Sequence, residues 1–203
     1  SRITAYEAGA DDYLPKPVIN VELMTRVKAR LEKARELKER SERDLVTGLL
    51  MRRPFSEQVN AMIAEAARHG FEFTLALLDI DYFKKVNDTY GHDAGDLVLA
   101  TVGKLLRKRF RVEDVRGRWG GEEFILAFRH EDMTIMKKAL TRVLTELKAL
   151  EFPCADKTFS VSFSAGLALF PTDGNTLHSL LQSADRRLYL AKAAGRSVIV
   201  SEG

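Results

Sequence analysis

A chain that carries Phe73-Thr74-Leu75-Ala76-Leu77-Leu78 and then Asp79 is committed to a buried strand. Such a run lacks the alternation of a half-exposed strand, so it has to be covered by other layers. The sequence around it supplies those layers. Pro54 to about His69 reads as a helix with proline in its first turn. Asp93 to about Phe110 reads as an amphipathic helix, with Leu97, Val98, Thr101, Leu105 and Leu106 on one face. Val115 to Trp119 and Glu123 to Phe128 flank Gly120-Gly121, a hairpin signal. Met133 to Leu150 reads as a helix, and Phe159 to Phe170 as one long strand with Gly166 as a bulge. Thr176 to Ala194 reads as a helix closed by Gly195, and Val198 to Val200 as a last short strand. This order predicts an α+β fold: a mostly antiparallel central sheet flanked by helices.

Two zones precede that domain. Residues 1–20 read as the end of a helix, a glycine turn, a very short strand and a proline-locked loop, too little to bury a core alone. Residues 21–43 are highly charged and lack Gly and Pro, so they read as one long helix. Leu23, Val27, Leu31, Ala34 and Leu37 fall on one stripe, which suits a coiled coil or a solvated linker packed on its own domain. The domain expectation is therefore 1–20, 21–43 and 44–203. The 32 basic and 29 acidic residues nearly cancel, leaving +3 and no argument for nucleic-acid binding. The lone Cys154 excludes an internal disulfide and suits a reducing, cytoplasmic setting. No apolar stretch is long enough for a membrane span. The missing initiating Met suggests a fragment or a processed N-terminus.

Candidate chemistry gathers at two places. Asp79 and Asp81 are two residues apart at the end of the buried run, so on a strand they point to one side. Carboxylates at a strand end suit Mg²⁺, which takes one or two carboxylates plus substrate phosphates; a solvated acidic loop is the plain alternative. Gly120 and Gly121 permit positive φ and let a phosphate approach the backbone, with Glu122 next in line. If the hairpin neighbours the first strand, Asp79 and Glu122 can share a metal; otherwise this is an ordinary turn with a solubilising Glu pair.

Together these segments resemble a known family. Gly120-Gly121-Glu122-Glu123-Phe124 resembles the signature of the GGDEF diguanylate cyclases, with Glu in the third place. Asp79 through Asp96 resembles the family's second long motif. Asp44-Leu45-Val46-Thr47-Gly48-Leu49 with Arg52-Arg53 resembles the domain's opening. Ala184-Asp185, Leu188-Tyr189, Ala191-Lys192 and Gly195-Arg196 resemble its closing helix. The likeness covers about 44–200 and implies a nucleotidyl-cyclase, palm-like fold.

It also implies an activity: Mg²⁺-dependent (or Mn²⁺-dependent) condensation of two GTP into cyclic di-GMP, releasing two pyrophosphates. Asp79, the Ile80 carbonyl and Glu122 match the metal ligands. Glu122, or else Glu123, matches the proton acceptor. Asn87 and Asp96 match the guanine-reading pair, and His92 a nucleotide contact. Phe83-Lys84 matches a short loop whose amides hold phosphates. Lys84, Lys192 and Arg196 match cations around the triphosphate, Lys84 being also a catalytic candidate, although Lys192 and Arg196 also suit a helix C-terminus. Each domain holds one GTP, so the resemblance implies a homodimer. Arg111-Val112-Glu113-Asp114, with Arg142, matches an inhibitory site for cyclic di-GMP. Ala8 through Pro17 resembles the end of a response-regulator receiver, with Lys16 matching its conserved lysine and the Lys16–Pro17 bond often cis in that family. This implies two-component signalling and an upstream histidine kinase. Met51, Val46 and Ser197 depart from the usual pattern. Retention of Asp96 implies preference for GTP over ATP. The rival reading is a catalytically silent module that binds GTP or cyclic di-GMP.

Overall fold

The structure is a computed structural model that describes residues 2–10, 12–14, 16–18, 20–129, 132–154 and 157–202, without the side chains of 2 and 35–41. In chain order the elements are α1 (Arg2–Glu7), α2 (Asn20–Glu42), α3 (Arg52–His69), β1 (Phe73–Ile80), α4 (Phe83–Tyr90), α5 (His92–Arg109), β2 (Val115–Arg118), β3 (Glu123–Arg129), α6 (Met133–Lys148), β4 (Phe152–Cys154), β5 (Lys157–Phe159), β6 (Phe163–Phe170), α7 (Leu177–Ala193) and β7 (Ile199–Val200). They divide into two compact units, 1–41 and 42–203.

In the larger unit five strands form one sheet in the order β2-β3-β1-β6-β7. All neighbours are antiparallel except β6 and β7. β1 lies at the centre and is buried along its whole length. Its alternate residues feed two cores. Ala76, Leu78 and Ile80 pack with Phe124, Leu126 and Phe128 beneath α5 and α6. Phe73, Leu75 and Leu77 pack with Ile125 and Ala127 beneath α3 and α7. Phe55, Phe73, Phe124, Phe128 and Phe163 are fully buried, each stabilising the fold by about 1.5–3 kcal/mol.

Three expectations need correction. Phe83 and Lys84 open a helix, Phe83–Tyr90, rather than lying in a short loop: Val86 N–H closes back on Tyr82, and Phe83 and Val86 are buried. The long strand from Phe159 is broken at Ser160–Ser162, because β5 pairs instead with β4 as a separate hairpin. Gly166 is no bulge: it keeps register opposite Leu77. It is glycine because α7 lies against it, where a Cβ would collide with the Ala184 carbonyl and the Leu188 amide.

The smaller unit contains α1 and most of α2. Gly9 turns the chain with φ +88. Residues 12–14 form no strand, so the short strand expected there is absent, and Asp11 and Pro15 lie outside the described residues. The Lys16–Pro17 bond is cis. Arg26 bonds Glu22 and Asp12 at 2.7 and 3.0 Å. Leu23, Val27 and Leu31 are exposed and, with Leu14, border a hollow of about 270 Å³; the Leu37 side chain lies outside the described residues. No helix among the described residues is long and apolar enough to cross a membrane.

Gly166→Ala is expected to destabilise the domain by about 2–3 kcal/mol, because backbone rather than a flexible side chain would have to yield. Gly121→Ala, with nothing within 4 Å of the added Cβ, should stay within about 0.5 kcal/mol. Urea denaturation midpoints with unchanged m-values would check both.

Candidate active site

The register of the sheet builds the site. Asp79 stands opposite Glu123 on β3 and Ser164 on β6. These positions continue the row that buries Phe73, Leu75 and Leu77, but lie beyond the core at the end of β1. Burial pushes the Glu123 carboxyl above its ordinary range, and the negative charge of Asp79 across the strand adds to this. Lys192, near the end of α7, reaches into the same space and bonds Asp79 Oδ2 at 2.8 Å. Glu122 is half-buried at the turn, and its carbonyl accepts a 3.3 Å bond from Ile80 N–H. So Glu123, not Glu122, shares the row of Asp79, while Glu122 adjoins it.

The glycines of this turn do not serve as their φ freedom suggests. Neither Gly120 nor Gly121 has positive φ, and a Cβ on Gly121 would meet nothing. Gly121 leaves open space at the tip, whereas a Cβ on Gly120 would come within 3.0 Å of Glu123 Oε2. The turn is held by Arg118, whose Nε and Nη2 donate to the Gly121 carbonyl at 3.1 and 2.7 Å. Arg118 Nη1 bonds Asp44 Oδ2 at 2.9 Å. Burial pushes the Asp44 carboxyl up, but bonds from Thr47 and Arg118 outweigh this and hold it below the usual range.

Phe83 and Lys84 occupy the first turn of α4, where helical amides lack intrahelical partners; Lys84 is exposed. Asn87 follows on the same helix. Its side chain lies against Gly95 of α5, where a Cβ would collide with Asn87 Oδ1, and this brings Asn87 next to the exposed Asp96. His92 begins α5 and is exposed. Arg196 follows α7, its Cζ 4.5 Å from the centroid of the Tyr82 ring. The structure thus gathers 79–96, the glycine turn and the end of α7 at one edge of the sheet.

Arg111, Asp114 and Arg142 are less closely joined. Asp114 is buried, and its Oδ2 accepts the Arg111 backbone N–H at 2.9 Å. Arg142 borders a surface hollow of about 720 Å³ with Arg109, Phe110 and Glu146, and neither Arg111 nor Asp114 lines it.

Sequence reasoning missed the residue that ties the site together. Asp81 is 4% exposed and accepts from Ser162 Oγ at 2.6 Å, Ser164 Oγ at 2.7 Å and Ser197 N–H at 3.0 Å. It fastens the segment carrying Arg196 to the strand carrying Asp79. Ser162 and Ser164, two polar residues at strand spacing in an apolar stretch, were the signal. Tyr82, with φ +59, was also missed.

Among the described residues no three His, Cys, Asp or Glu converge as a ready metal cage. The donor set nevertheless fits a hard cation: two facing carboxylates beside open space suit an ion that takes its remaining ligands from a bound phosphate and water.

Comparison with known proteins matches residues 41–198 to the family described as "Diguanylate cyclase, GGDEF domain". The chain belongs to the GGDEF family. It is 32% identical over 212 residues to the response regulator PleD of Caulobacter vibrioides, covering 98% of this chain and 47% of PleD. It is 38% identical to the diguanylate cyclase DgcP of Pseudomonas aeruginosa over 75% of this chain and 23% of DgcP. The chain thus spans less than half the length of these curated relatives. Among solved structures, the coiled coil and GGDEF domain of DgcB from Caulobacter crescentus in complex with c-di-GMP superposes with a TM-score of 0.81 at 26% identity, over 90% of this chain and 96% of that one.

Asp81→Ala should destabilise the domain by about 2–3 kcal/mol, because Ser164 and the Ser197 amide lose a buried charged acceptor. Tyr82→Ala, at a 61% exposed position, should change stability by less than about 0.5 kcal/mol. Equal denaturation midpoints for the two variants would refute the role given to Asp81.

Proposed function

We propose that this chain is a Mg²⁺-dependent diguanylate cyclase that joins two GTP molecules into cyclic di-GMP and works as a homodimer. The observation that carries this is the pair of facing carboxylates on β1 and β3, beside Lys192 and the open glycine turn. Family membership supports it.

Asp79, the Ile80 carbonyl and Glu122 hold the metal, with Mn²⁺ as a substitute. Held there, such an ion would supply neutralisation of phosphate charge and acidification of the attacking hydroxyl. The remaining work falls to the chain. Asn87 and Asp96 read the guanine: the carboxylate accepts from N1 and N2, and the amide bonds the base edge. His92 contacts the nucleotide. The amides of Phe83 and Lys84 receive phosphate oxygens, and Gly120 and Gly121 leave room for the phosphates. Lys84, Lys192 and Arg196 supply positive charge. On this reading Lys192 exchanges part of its bond to Asp79 for phosphate once the nucleotide arrives. The 3′-oxygen of one GTP attacks the α-phosphorus of the other, pyrophosphate leaves, and the step repeats in the opposite sense. Glu122 takes the hydroxyl proton, with Glu123 beside it as the second candidate. Phosphoryl transfer of this kind depends on positioning and charge compensation.

One domain holds one nucleotide, so two domains face each other about a two-fold axis. The exposed Leu23, Val27 and Leu31 on α2 suit a dimerising coiled coil. The likeness to PleD, which runs through nearly the whole chain, supports reading 1–20 as the end of a receiver, 21–43 as the connecting helix and 44–203 as the catalytic domain of a cytoplasmic two-component response regulator. Arg111, Asp114 and Arg142 form the feedback site for cyclic di-GMP, with Arg142 approaching the other two when the ligand bridges them.

Chromatography of products from GTP and Mg²⁺ should give cyclic di-GMP for the wild type. Glu122→Ala should lower the rate by about a hundredfold or more, the range of a lost acid–base group; product from neither protein would leave a silent binding module. ATP should turn over far more slowly than GTP. Arg111→Ala should abolish calorimetric binding of cyclic di-GMP to the feedback site, and undiminished binding would refute that site.

A further inference from the structure

A second concentration of positive charge lies away from the proposed active site. Arg43, at the start of the larger unit, Arg107, at the end of α5, and Arg116, on β2, line one hollow of about 460 Å³. Their donors are poorly used. Arg43 Nη1 bonds only the Gly48 carbonyl, at 3.1 Å. Arg116 Nη1 bonds only backbone carbonyls, of Phe110 at 3.0 Å and Arg107 at 3.3 Å. The Arg107 guanidinium has no hydrogen-bond or ionic partner among the described residues. It lies on Gly48, where φ is +67 and a Cβ would come within 2.6 Å of Nη1.

Burial lowers the Arg116 pKa, Asp114 opposes this, and Arg43 and Arg107 add to the lowering. Asp114 is the one carboxylate lining the hollow. Burial pushes its carboxyl up, and one of its oxygens already accepts the Arg111 amide. Glu113 also acts on Arg116 but is exposed and stands outside the lining. Three like charges therefore converge with little compensation, an arrangement that a polyanion relieves. Guanidinium forks match phosphate oxygens in pairs, and three of them exceed what a single carboxylate can satisfy.

We infer that the hollow lined by Arg43, Arg107 and Arg116 binds a pyrophosphate-class anion, either free or as the phosphate tail of a nucleotide. None of these arginines has a part in the proposed reaction, and the hollow meets the proposed feedback site only through Asp114, which lines it and acts on Arg116. A ligand here bridges the segment before α3 to β2. Arg118, two residues beyond Arg116, holds the glycine turn, so occupancy of the hollow has a short covalent route to the site.

Calorimetric titration of the whole chain with sodium pyrophosphate, in EDTA so that no divalent ion takes part, tests this. Arg107→Ala and Arg43→Ala should each weaken binding by about tenfold, the effect of removing a charge-assisted donor. Gln58→Glu, which puts a carboxylate on an exposed lining position of α3, should weaken it similarly without disturbing the fold. Arg196→Ala should retain binding. Undetectable binding to the wild type overturns the inference. So does wild-type affinity in both Arg107→Ala and Gln58→Glu, or loss of binding in Arg196→Ala or Arg111→Ala. Orthophosphate binding as tightly as pyrophosphate overturns the diphosphate assignment. GDP titrated in parallel separates the sources: affinity matching pyrophosphate, with the same loss in Arg107→Ala, makes a nucleotide tail the ligand, and weaker binding makes it the free anion.

Discussion

Two carboxylates face each other across the centre of the sheet, and the rest of the site follows from that arrangement. Like charges directly opposite on antiparallel strands are destabilising. Here neither can turn away freely, because β1 is paired on both sides and Asp79 sits in register with Glu123 and Ser164. Burial pushes the Glu123 carboxyl above its ordinary range, and the facing charge of Asp79 adds to this. The repulsion is offset by Lys192, and that places a demand on α7: its C-terminal end has to pass close to the end of β1. Gly166 permits the approach, since a side chain there would push the helix off the sheet. The pair and the glycine, on different strands, are thus parts of one constraint.

The glycine turn is fixed from the other side of the domain. Arg118 couples three segments: its own strand β2, the Gly121 carbonyl and the Asp44 carboxylate. The segment around Leu50 closes against the same strand, with Arg118 N–H donating to the Leu50 carbonyl at 2.8 Å and Leu50 N–H to the Arg116 carbonyl at 3.1 Å. A shift in the backbone where the domain begins is thereby transmitted to the turn beside the carboxylates by hydrogen bonds rather than through a flexible loop. Arg116 and Arg118 serve neighbouring networks from one four-residue strand, which links the inferred anion hollow to the same lever.

Much of this was legible in the sequence because it is local. The unbroken apolar run announced β1, and Gly-Gly between two strand-like runs announced the β2–β3 hairpin. The missed features are set by partners far along the chain. Phe83–Tyr90 is one short polar helix whose burial depends on its packing. The break at Ser160–Ser162 exists because β5 finds β4, which periodicity alone cannot forecast. Asp81 was read only as a companion of Asp79, since its partners lie 81, 83 and 116 residues away. The candidate site residues were proposed through the resemblance of whole segments; the side-chain row that puts Glu123 rather than Glu122 opposite Asp79 needed the strand register.

Backbone strain gives an independent view of the same centre. Among the described residues the non-glycine positions with positive φ are Tyr82, Arg196 and Ser197. Each costs roughly 1 kcal/mol or more, and such a cost persists only where the surroundings impose it. All three converge on Asp81. Ser197 donates its N–H to the carboxylate, Tyr82 is its chain neighbour, and Arg196 lies over the Tyr82 ring. A buried side chain that accepts three hydrogen bonds ties the two chain segments that carry the left-handed residues. The consequence is that the backbone at Arg196 is fixed by the fold itself, as the proposed phosphate role requires. The fold therefore places its one dense cluster of strained residues where fixed orientation of positive charge is worth most, beside the carboxylates that end β1.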